Sequence, residues 1–225
     1  TPRQQLDNLR STSWKDFESY DQGKVRVAIQ IGHCSTSVGS ARVAQAISDS
    51  LPDSHYVVVT GCDGACFNGP QVLITDPING TIRFSKTSSD QAPLITRGLA
   101  GANSNSIDFF KHQKRVSLDL SGTLDPSNVK DYIRHNGYDG LVTALEMSPE
   151  EVIAEVESSG LRGRGGAYFP AALKWRGSRK ASGDTTYLVI NAEEGEPGVF
   201  KDRHLMEGVP YRILEGAVIA GYASG

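Results

Sequence analysis

The sequence predicts an α/β fold in two parts, and three observations carry that prediction. Two β-branched runs, VRVAIQI at Val25–Ile31 and YVVVT at Tyr56–Thr60, flank a stretch with apolar residues at helical spacing. A turn signal, Asp76-Pro77-Ile78-Asn79-Gly80, separates two further short strands. From Asp125 onward, helix caps and glycine stops alternate around one extended run. The 225 residues, 38% hydrophobic and 22% charged, suffice for two modest globular domains. A net charge of -3 gives no general attraction to nucleic acid or to an anionic membrane, so any anion site must be local. No apolar run approaches the roughly 20 residues of a membrane span, and no signal peptide is visible. The 3 cysteines suggest no disulfide framework and fit a reducing compartment. The chain opens on Thr1 and closes on ILEGAVIAGYASG with nothing to supply a next element, so a fragment of something longer is expected.

Residues 1–24 are polar with apolar spots at Trp14 and Phe17, which predicts one amphipathic helix and a linker. Val25–Ile31 is a strand, Val43, Ile47 and Leu51 mark a helix, and Tyr56–Thr60 is a second strand. Val72–Thr75 and Thr81–Phe84 form the hairpin. The order β-α-β-loop-β-β is that of a small α/β sandwich of the thioredoxin kind, assigned to residues 25–90. A polar stretch with Gly98 and Gly101 is the expected connector, 91–120, closing on FFKHQKRVSLDL, a basic segment running into a short extended piece. Residues 121–225 form the second domain. There Asp125-Pro126 is expected to start a helix that Gly137 stops, and Ser148-Pro149-Glu150-Glu151 is a capping box. Val152, Ile153 and Val156 give that helix its apolar face, and Gly160 ends it. YLVIN, Tyr187–Asn191, is expected as a buried strand, and a last helix starts near Pro210.

The segment GLRGRGGAYFPAALKW, Gly160–Trp175, carries the chemistry. Gly163, Gly165 and Gly166 bare the backbone N–H groups, and Pro170 opens a helix whose N-terminus favours an anion. Lys174 adds a point charge one turn in, and Arg162 and Arg164 add more. A charge-assisted bond to a phosphate is worth about 1.5–3 kcal/mol. The pattern is neither a P-loop, which wants Ser or Thr where Trp175 stands, nor a dinucleotide fingerprint, which wants a preceding strand. A glycine-rich turn between two helices is the plain alternative. Downstream, Asn191, Glu193, Glu194 and Glu196 crowd a Gly-Glu-Pro-Gly bend. A solvated acidic turn is one reading; carboxylates and an amide fixed to receive sugar hydroxyls is the other.

SGLRGRGGAYFPAALKW followed by YLVINAEEGEPGVFKDRHLMEGVPYRILEGAVIAGYA resembles the NADH-binding flavoprotein subunit of respiratory complex I. It is similar as well to that subunit in soluble NAD-linked hydrogenases and formate dehydrogenases, over about Phe109 to Gly225. The resemblance implies an FMN-binding α/β domain, of which 121–225 is the N-terminal portion. It implies that Gly163, Arg164, Gly165, Gly166 and Lys174 hold the FMN phosphate and ribityl chain. Asn191 and Glu193 would hold the flavin, with Gly195 passing close to it. Phe169 would stack on NADH, Glu196 would hydrogen-bond it, and Glu194 would lie at a redox-sensitive turn. Two positions depart from the family pattern: Tyr168 stands where it has glycine, and Gly177 where an aromatic commonly flanks the dinucleotide.

Longer members carry an N-terminal thioredoxin-like domain with a [2Fe–2S] cluster. HCSTSVGSARVAQAI and TGCDGACFNGPQVLI resemble its two ligand loops. That assigns Cys34, Cys62 and Cys66 as metal ligands, with Gly39 at the expected fourth place and His33, Ser35 or Ser37 as substitutes. A domain that kept its fold and lost its metal is the alternative. The family's C-terminal [4Fe–4S] part has no counterpart here. The resemblance therefore implies an electron-transfer flavoprotein module of an NADH-oxidising complex, passing hydride from NAD(P)H to FMN and single electrons to iron–sulfur clusters, with no side chain acting as catalytic acid or base. Its partners would be NADH and the other iron–sulfur, hydrogenase or dehydrogenase subunits. It would lie in the cytoplasm or on the matrix side of an organelle membrane, with no direct membrane insertion. A cofactor-free docking subunit and a plain iron–sulfur carrier are the rival readings.

Overall fold

The computed structural model describes residues 1–98, 107–181, 183 and 185–225, which include Gly98 but not Gly101 of the expected connector. The fold is mixed α/β. Helix α1, Pro2–Asp21, is closed at its start by a capping box between Thr1 and Gln4. Strand β1, Val25–Gln30, is followed by a short helix α2, His33–Ser37, and then by α3, Ser40–Ser50. Next come β2, His55–Thr60, and the hairpin of β3, Val72–Asp76, with β4, Gly80–Phe84.

The strands form one sheet of order β2-β1-β3-β4. β1 runs parallel to β2, from Val25 opposite His55 to Gln30 opposite Thr60, and antiparallel to β3. The parallel pair needs a crossover, and α3 is the crossover helix the spacing predicts. The hairpin closes as its residues dictate: the Asp76 carboxylate accepts the N–H groups of Ile78 (2.8 Å) and Asn79 (2.9 Å), and Gly80 takes a left-handed φ of 83°. Val27, Ile29, Val43, Ile47, Val72 and Phe84 fill the core between this sheet and α3, joined by Ala92 and Ile95 of α4, Ala92–Thr96. Full burial of each aliphatic side chain there is worth about 1.5–3 kcal/mol.

Helix α5, Ile107–Lys111, follows, and the chain then turns through residues 116–124 rather than extending. Arg212 explains the turns: its guanidinium gathers the Val116 and Ser117 carbonyls and the Asp119 carboxylate. Helix α6, Val129–Arg134, begins later than expected. Asn128 caps it, while the Asp125 carboxylate accepts the Ser127 N–H (2.9 Å) in a turn of its own. After α6, Asn136 at φ 63° reverses the chain beside Gly137. Helix α7, Asp139–Leu145, was not expected; α8, Pro149–Ser158, has the predicted capping box, and Gly160 at φ 67° ends its turn. Helix α9, Ala171–Lys180, α10, Lys201–Gly208, and α11, Pro210–Ser224, complete the chain.

Val152 and Ile153 bury against Ala144, Ala172 and Ala223, so α8, α9 and α11 share one core. Arg176 and Glu157 (2.5 Å), and Arg179 and Glu150 (2.7 Å), pair across α9 and α8. Helix α1 packs on this half of the chain: Leu6 meets Ile133 and Val142, and the Arg134 guanidinium lies 4.3 Å from the Phe17 ring centroid. Tyr187–Asn191 is not the buried strand the sequence suggests. Tyr187 is 84% and Val189 83% exposed, and no strand among the described residues pairs with this run. Its β-branched pattern is right for a strand, but a strand exists only with a hydrogen-bonded neighbour.

Candidate functional site

The glycine segment is a closed excursion between α8 and α9. Arg162 and Pro170 form an isolated antiparallel bridge, with the Gly163 N–H donating to the Phe169 carbonyl (2.8 Å) and the Ala171 N–H to that of Leu161 (3.0 Å). Gly163 is therefore engaged within the loop, and the bare backbone lies at Gly165 and Gly166. Neither has an atom within 4 Å of where a Cβ would sit, and Gly166 takes φ 103°. Tyr168 also takes a left-handed φ, 53°, a conformation costing a side chain about 1–2 kcal/mol. The backbone thus favours glycine there, which accounts for the glycine of the resembled pattern. The Arg162 guanidinium lies 5.1 Å from the Tyr168 ring centroid and donates to the Tyr168 carbonyl (3.3 Å). Phe169 and Lys174 are exposed, and Lys174 forms no ion pair among the described residues.

The acidic turn is ordered by its own side chains. The Asn191 amide oxygen accepts the Glu193 N–H (2.9 Å), and the Glu196 carbonyl accepts that of Val199 (3.2 Å). The Glu194 carboxylate accepts the N–H groups of Asp202 (2.6 Å) and Arg203 (3.2 Å), so it caps the N-terminus of α10. The Glu193 carboxylate lies against Gly195, in the space a side chain there would fill. Glu193 and Glu196 remain exposed.

The cysteine loop sits on a buried polar network. The Asp63 carboxylate accepts the Ala65 N–H (3.0 Å), the Gln71 amide (3.2 Å) and the Arg83 guanidinium (2.5 Å); the Gln30 amide oxygen accepts from Gln71 (3.1 Å) and from the Asp63 N–H (3.3 Å). Burial works to raise the Asp63 pKa, but these hydrogen bonds and the Arg83 charge outweigh it and hold the pKa below the ordinary value. A depressed folded pKa stabilises fully above the unfolded value, about 4, and that stabilisation is lost as pH falls through the lower folded value. The wild type is therefore expected to lose urea resistance below about pH 4 more steeply than Asp63→Asn. Parallel curves for the two proteins would count against a depressed Asp63.

Cys62 and Cys66 bring their sulfurs to 3.8 Å, and Cys34 is exposed on α2. An iron–sulfur cluster takes four soft ligands, usually thiolates, and the sequence supplies three cysteines. Burial pushes the Cys62 thiol up to about 12 and also raises that of Cys66. Of the expected substitutes, His33 is exposed with the Glu207 carboxylate 3.7 Å away, Ser35 bonds the Gly32 backbone, and Ser37 donates to the Cys34 carbonyl. Among the described residues no group of three or more His, Cys, Asp or Glu side chains could hold a metal ion. Cys34, Cys62 and Cys66 are three thiols on a braced loop and its neighbour, with Cys34 close enough to Cys66 to raise its pKa.

Two glycines hold that loop to the C-terminal half. A Cβ on Gly61 would collide with the Gly208 Cα, and one on Gly208 with the Ser121 hydroxyl, which donates to the Cys62 carbonyl (2.7 Å). A cleft of about 750 Å³ opens beside this contact. Asp63 and Gly64, the basic segment through Arg115, Arg164 of the glycine loop, and Gly198 to His204 line it. The structure thus brings Arg164 beside the end of the acidic turn. Arg115 and His204 were missed by sequence reasoning. The basic run 111–115 was the available signal for the first, and the second sits on a helix the sequence did not announce.

Residues 156–225 match the family model described as Nuo51 FMN-binding domain. The chain is 45% identical over 115 residues to the NADP-reducing hydrogenase subunit HndC of Solidesulfovibrio fructosivorans, covering 51% of this chain and 23% of that one. It is 50% identical over 105 residues to an NADH-quinone oxidoreductase subunit of Streptomyces coelicolor, covering 47% and 22% respectively. With the NADH-quinone oxidoreductase subunit of the same designation in Aquifex aeolicus the identity is 46% over 98 residues, covering 44% and 23%. The chain thus spans under a quarter of the length of these curated relatives. A solved NAD+-reducing [NiFe]-hydrogenase aligns with 89% of this chain and 35% of its own at 25% identity and a TM-score of 0.39. No helix among the described residues is long and apolar enough to cross a membrane. Over residues 156–225, from the end of α8 through the glycine loop to α11, this chain is similar to the Nuo51 FMN-binding domain family.

Proposed function

We propose that this chain is part of an FMN-holding, NADH-oxidising subunit of a hetero-oligomeric electron-transfer complex. The match of residues 156–225 to an FMN-binding domain carries the reading. The loop suits a phosphate-bearing ligand: Gly165 and Gly166 leave their backbone open, and Arg164 and Lys174 form no ion pair among the described residues. In this reading Arg164, Gly165, Gly166 and Lys174 hold the phosphate and ribityl end of FMN. Asn191, Glu193 and Gly195 line the flavin, and Phe169 and Glu196 face NADH. The bound flavin supplies hydride acceptance and single-electron release; the chain binds, orients and sets the local charge. Electrons leave through other parts of the subunit or through partner subunits. Glu194 acts by holding α10 against the turn, as a positioning residue.

We read residues 25–90 as a thioredoxin-like unit, supported by the β2-β1-β3-β4 order with β3 antiparallel to its neighbours. Residues 1–24 are its leading helix and linker, 91–120 the connector, and 121–225 the flavin-binding portion. A cofactor-free docking role is the second reading. Tyr168 favours it, because its ring holds Arg162 and occupies the tip of the glycine loop.

Titration of FMN fluorescence separates the two. Saturable quenching, weakened about tenfold or more in Lys174→Ala, is the expected result. No quenching by the wild-type chain favours the docking role, and equal quenching by both proteins removes Lys174 from the phosphate site.

A further inference from the structure

We propose that Cys34, Cys62 and Cys66 form a thiol–disulfide exchange centre whose substrates are small organic disulfides and whose oxidised form is a Cys62–Cys66 disulfide. The Cys62 and Cys66 sulfurs already stand 3.8 Å apart on one loop. Closing that gap to the roughly 2.05 Å of a disulfide bond takes a movement of under about 2 Å. The turn between them is held by its own atoms: the Gly64 N–H donates to the Cys62 sulfur (3.3 Å), and the Asp63 carboxylate accepts the Ala65 N–H (3.0 Å). Packing supplies the third thiol. A Cβ on Gly32 would lie 3.5 Å from the Cys62 Cβ, and one on Gly69 would lie 3.6 Å from the Ser35 Cβ. The cysteine loop therefore runs along α2, the helix that carries Cys34, and Cys34 is near enough to Cys66 for the two side chains to interact.

Graded exposure orders the three thiols. Cys34 is exposed, Cys66 is half-buried and Cys62 is buried. A disulfide R–S–S–R in solution therefore meets Cys34 first. The Cys34 thiolate attacks one sulfur, the S–S bond breaks, and the first RSH leaves with the proton that Cys34 gave up. Cys66 then attacks the Cys34 sulfur of this mixed disulfide. A Cys34–Cys66 bond forms, and the second RSH leaves with the Cys66 proton. Cys62, already against Cys66, displaces Cys34, which takes up the Cys62 proton. In sum, Cys62 and Cys66 lose two electrons and two protons, and R–S–S–R is reduced to two RSH. Cys34 returns to its thiol, so it is an entry group and the other two hold the oxidation.

The test incubates the full chain with 2-hydroxyethyl disulfide, blocks free thiols with iodoacetamide at timed intervals, and maps tryptic peptides by mass. Cys34 lies on the peptide 27–42, and Cys62 and Cys66 share the peptide 43–83. The expected product is a 43–83 peptide two hydrogens lighter and unalkylated, beside an alkylated Cys34. Cys62→Ser should stop at the Cys34–Cys66 bond, which joins the two peptides. Cys34→Ser should slow closure about tenfold or more, because the first attack falls to a less accessible thiol. A wild-type chain that keeps the mixed disulfide on Cys34 while Cys62 and Cys66 stay alkylatable would overturn the centre. So would purified protein whose three thiols are taken up by iron and acid-labile sulfide. Closure in Cys34→Ser at the wild-type rate would overturn the relay. None of these outcomes depends on whether the chain binds FMN.

Discussion

Glu215→Ala is expected to lower the unfolding free energy by about 3 kcal/mol or more. Glu215 is buried on α11, and its carboxylate holds three donors from another part of the chain. One oxygen accepts the Tyr132 hydroxyl (2.5 Å) and the Tyr138 N–H (2.9 Å), and the other accepts the Leu141 N–H (3.0 Å). Tyr138 and Leu141 stand at the start of α7, where unsatisfied N–H groups and the helix dipole both favour a negative charge. Removing the carboxylate strands three donors at once, each costing about 1–3 kcal/mol. Glu215→Gln keeps an acceptor oxygen and should cost less than the alanine variant. Urea unfolding of the three proteins decides it, and an alanine variant within about 1 kcal/mol of wild type would contradict the network.

Gly61→Ala is the second large effect, expected to cost about 3 kcal/mol or to prevent folding. The new Cβ would run into the Gly208 Cα, with the Gly208 nitrogen at 3.1 Å and the Glu207 carbonyl at 3.3 Å. All three are backbone atoms, so no side chain can swing aside, and the cysteine loop must separate from α10. Gly216→Ala is the control. It lies on α11 with open space around the added methyl, and helix propensity favours alanine by about 1 kcal/mol. Thermal midpoints for the pair should therefore move in opposite directions. A Gly61→Ala midpoint equal to wild type would mean that the close approach is not made.

Much of this architecture was legible because local rules and tertiary packing agree. The sheet strands carry β-branched residues and a turn whose aspartate and glycine do what those residue types do. The box at Ser148 and Glu151 closes as its spacing requires. Where the reading failed, a partner decided. Tyr187–Asn191 has strand composition but no neighbour among the described residues. Asp125 could cap a helix, yet Asn128 is three residues closer to the apolar face of Tyr132 and Ile133 and takes the role. Helix α10 was hidden because its cap comes from Glu194, outside the helix and read as part of a ligand-binding turn.

The site was legible as a set of residue types and less so as geometry. The run of glycines announced an open loop, but not that Gly163 would close it or that Tyr168 would bear a left-handed backbone. The spacing of Cys62 and Cys66 marked a cysteine loop, and the buried polar network beneath it was not visible in that spacing.

The bare ribbon at Tyr187–Ile190 has a practical outcome for anyone handling the chain by itself. Apolar side chains stand out on both of its faces, and its hydrogen-bonding edges are unoccupied within the described residues. Such a segment can template its own copies, so concentrated preparations are expected to drift toward intermolecular ladders, which light scattering against concentration would detect.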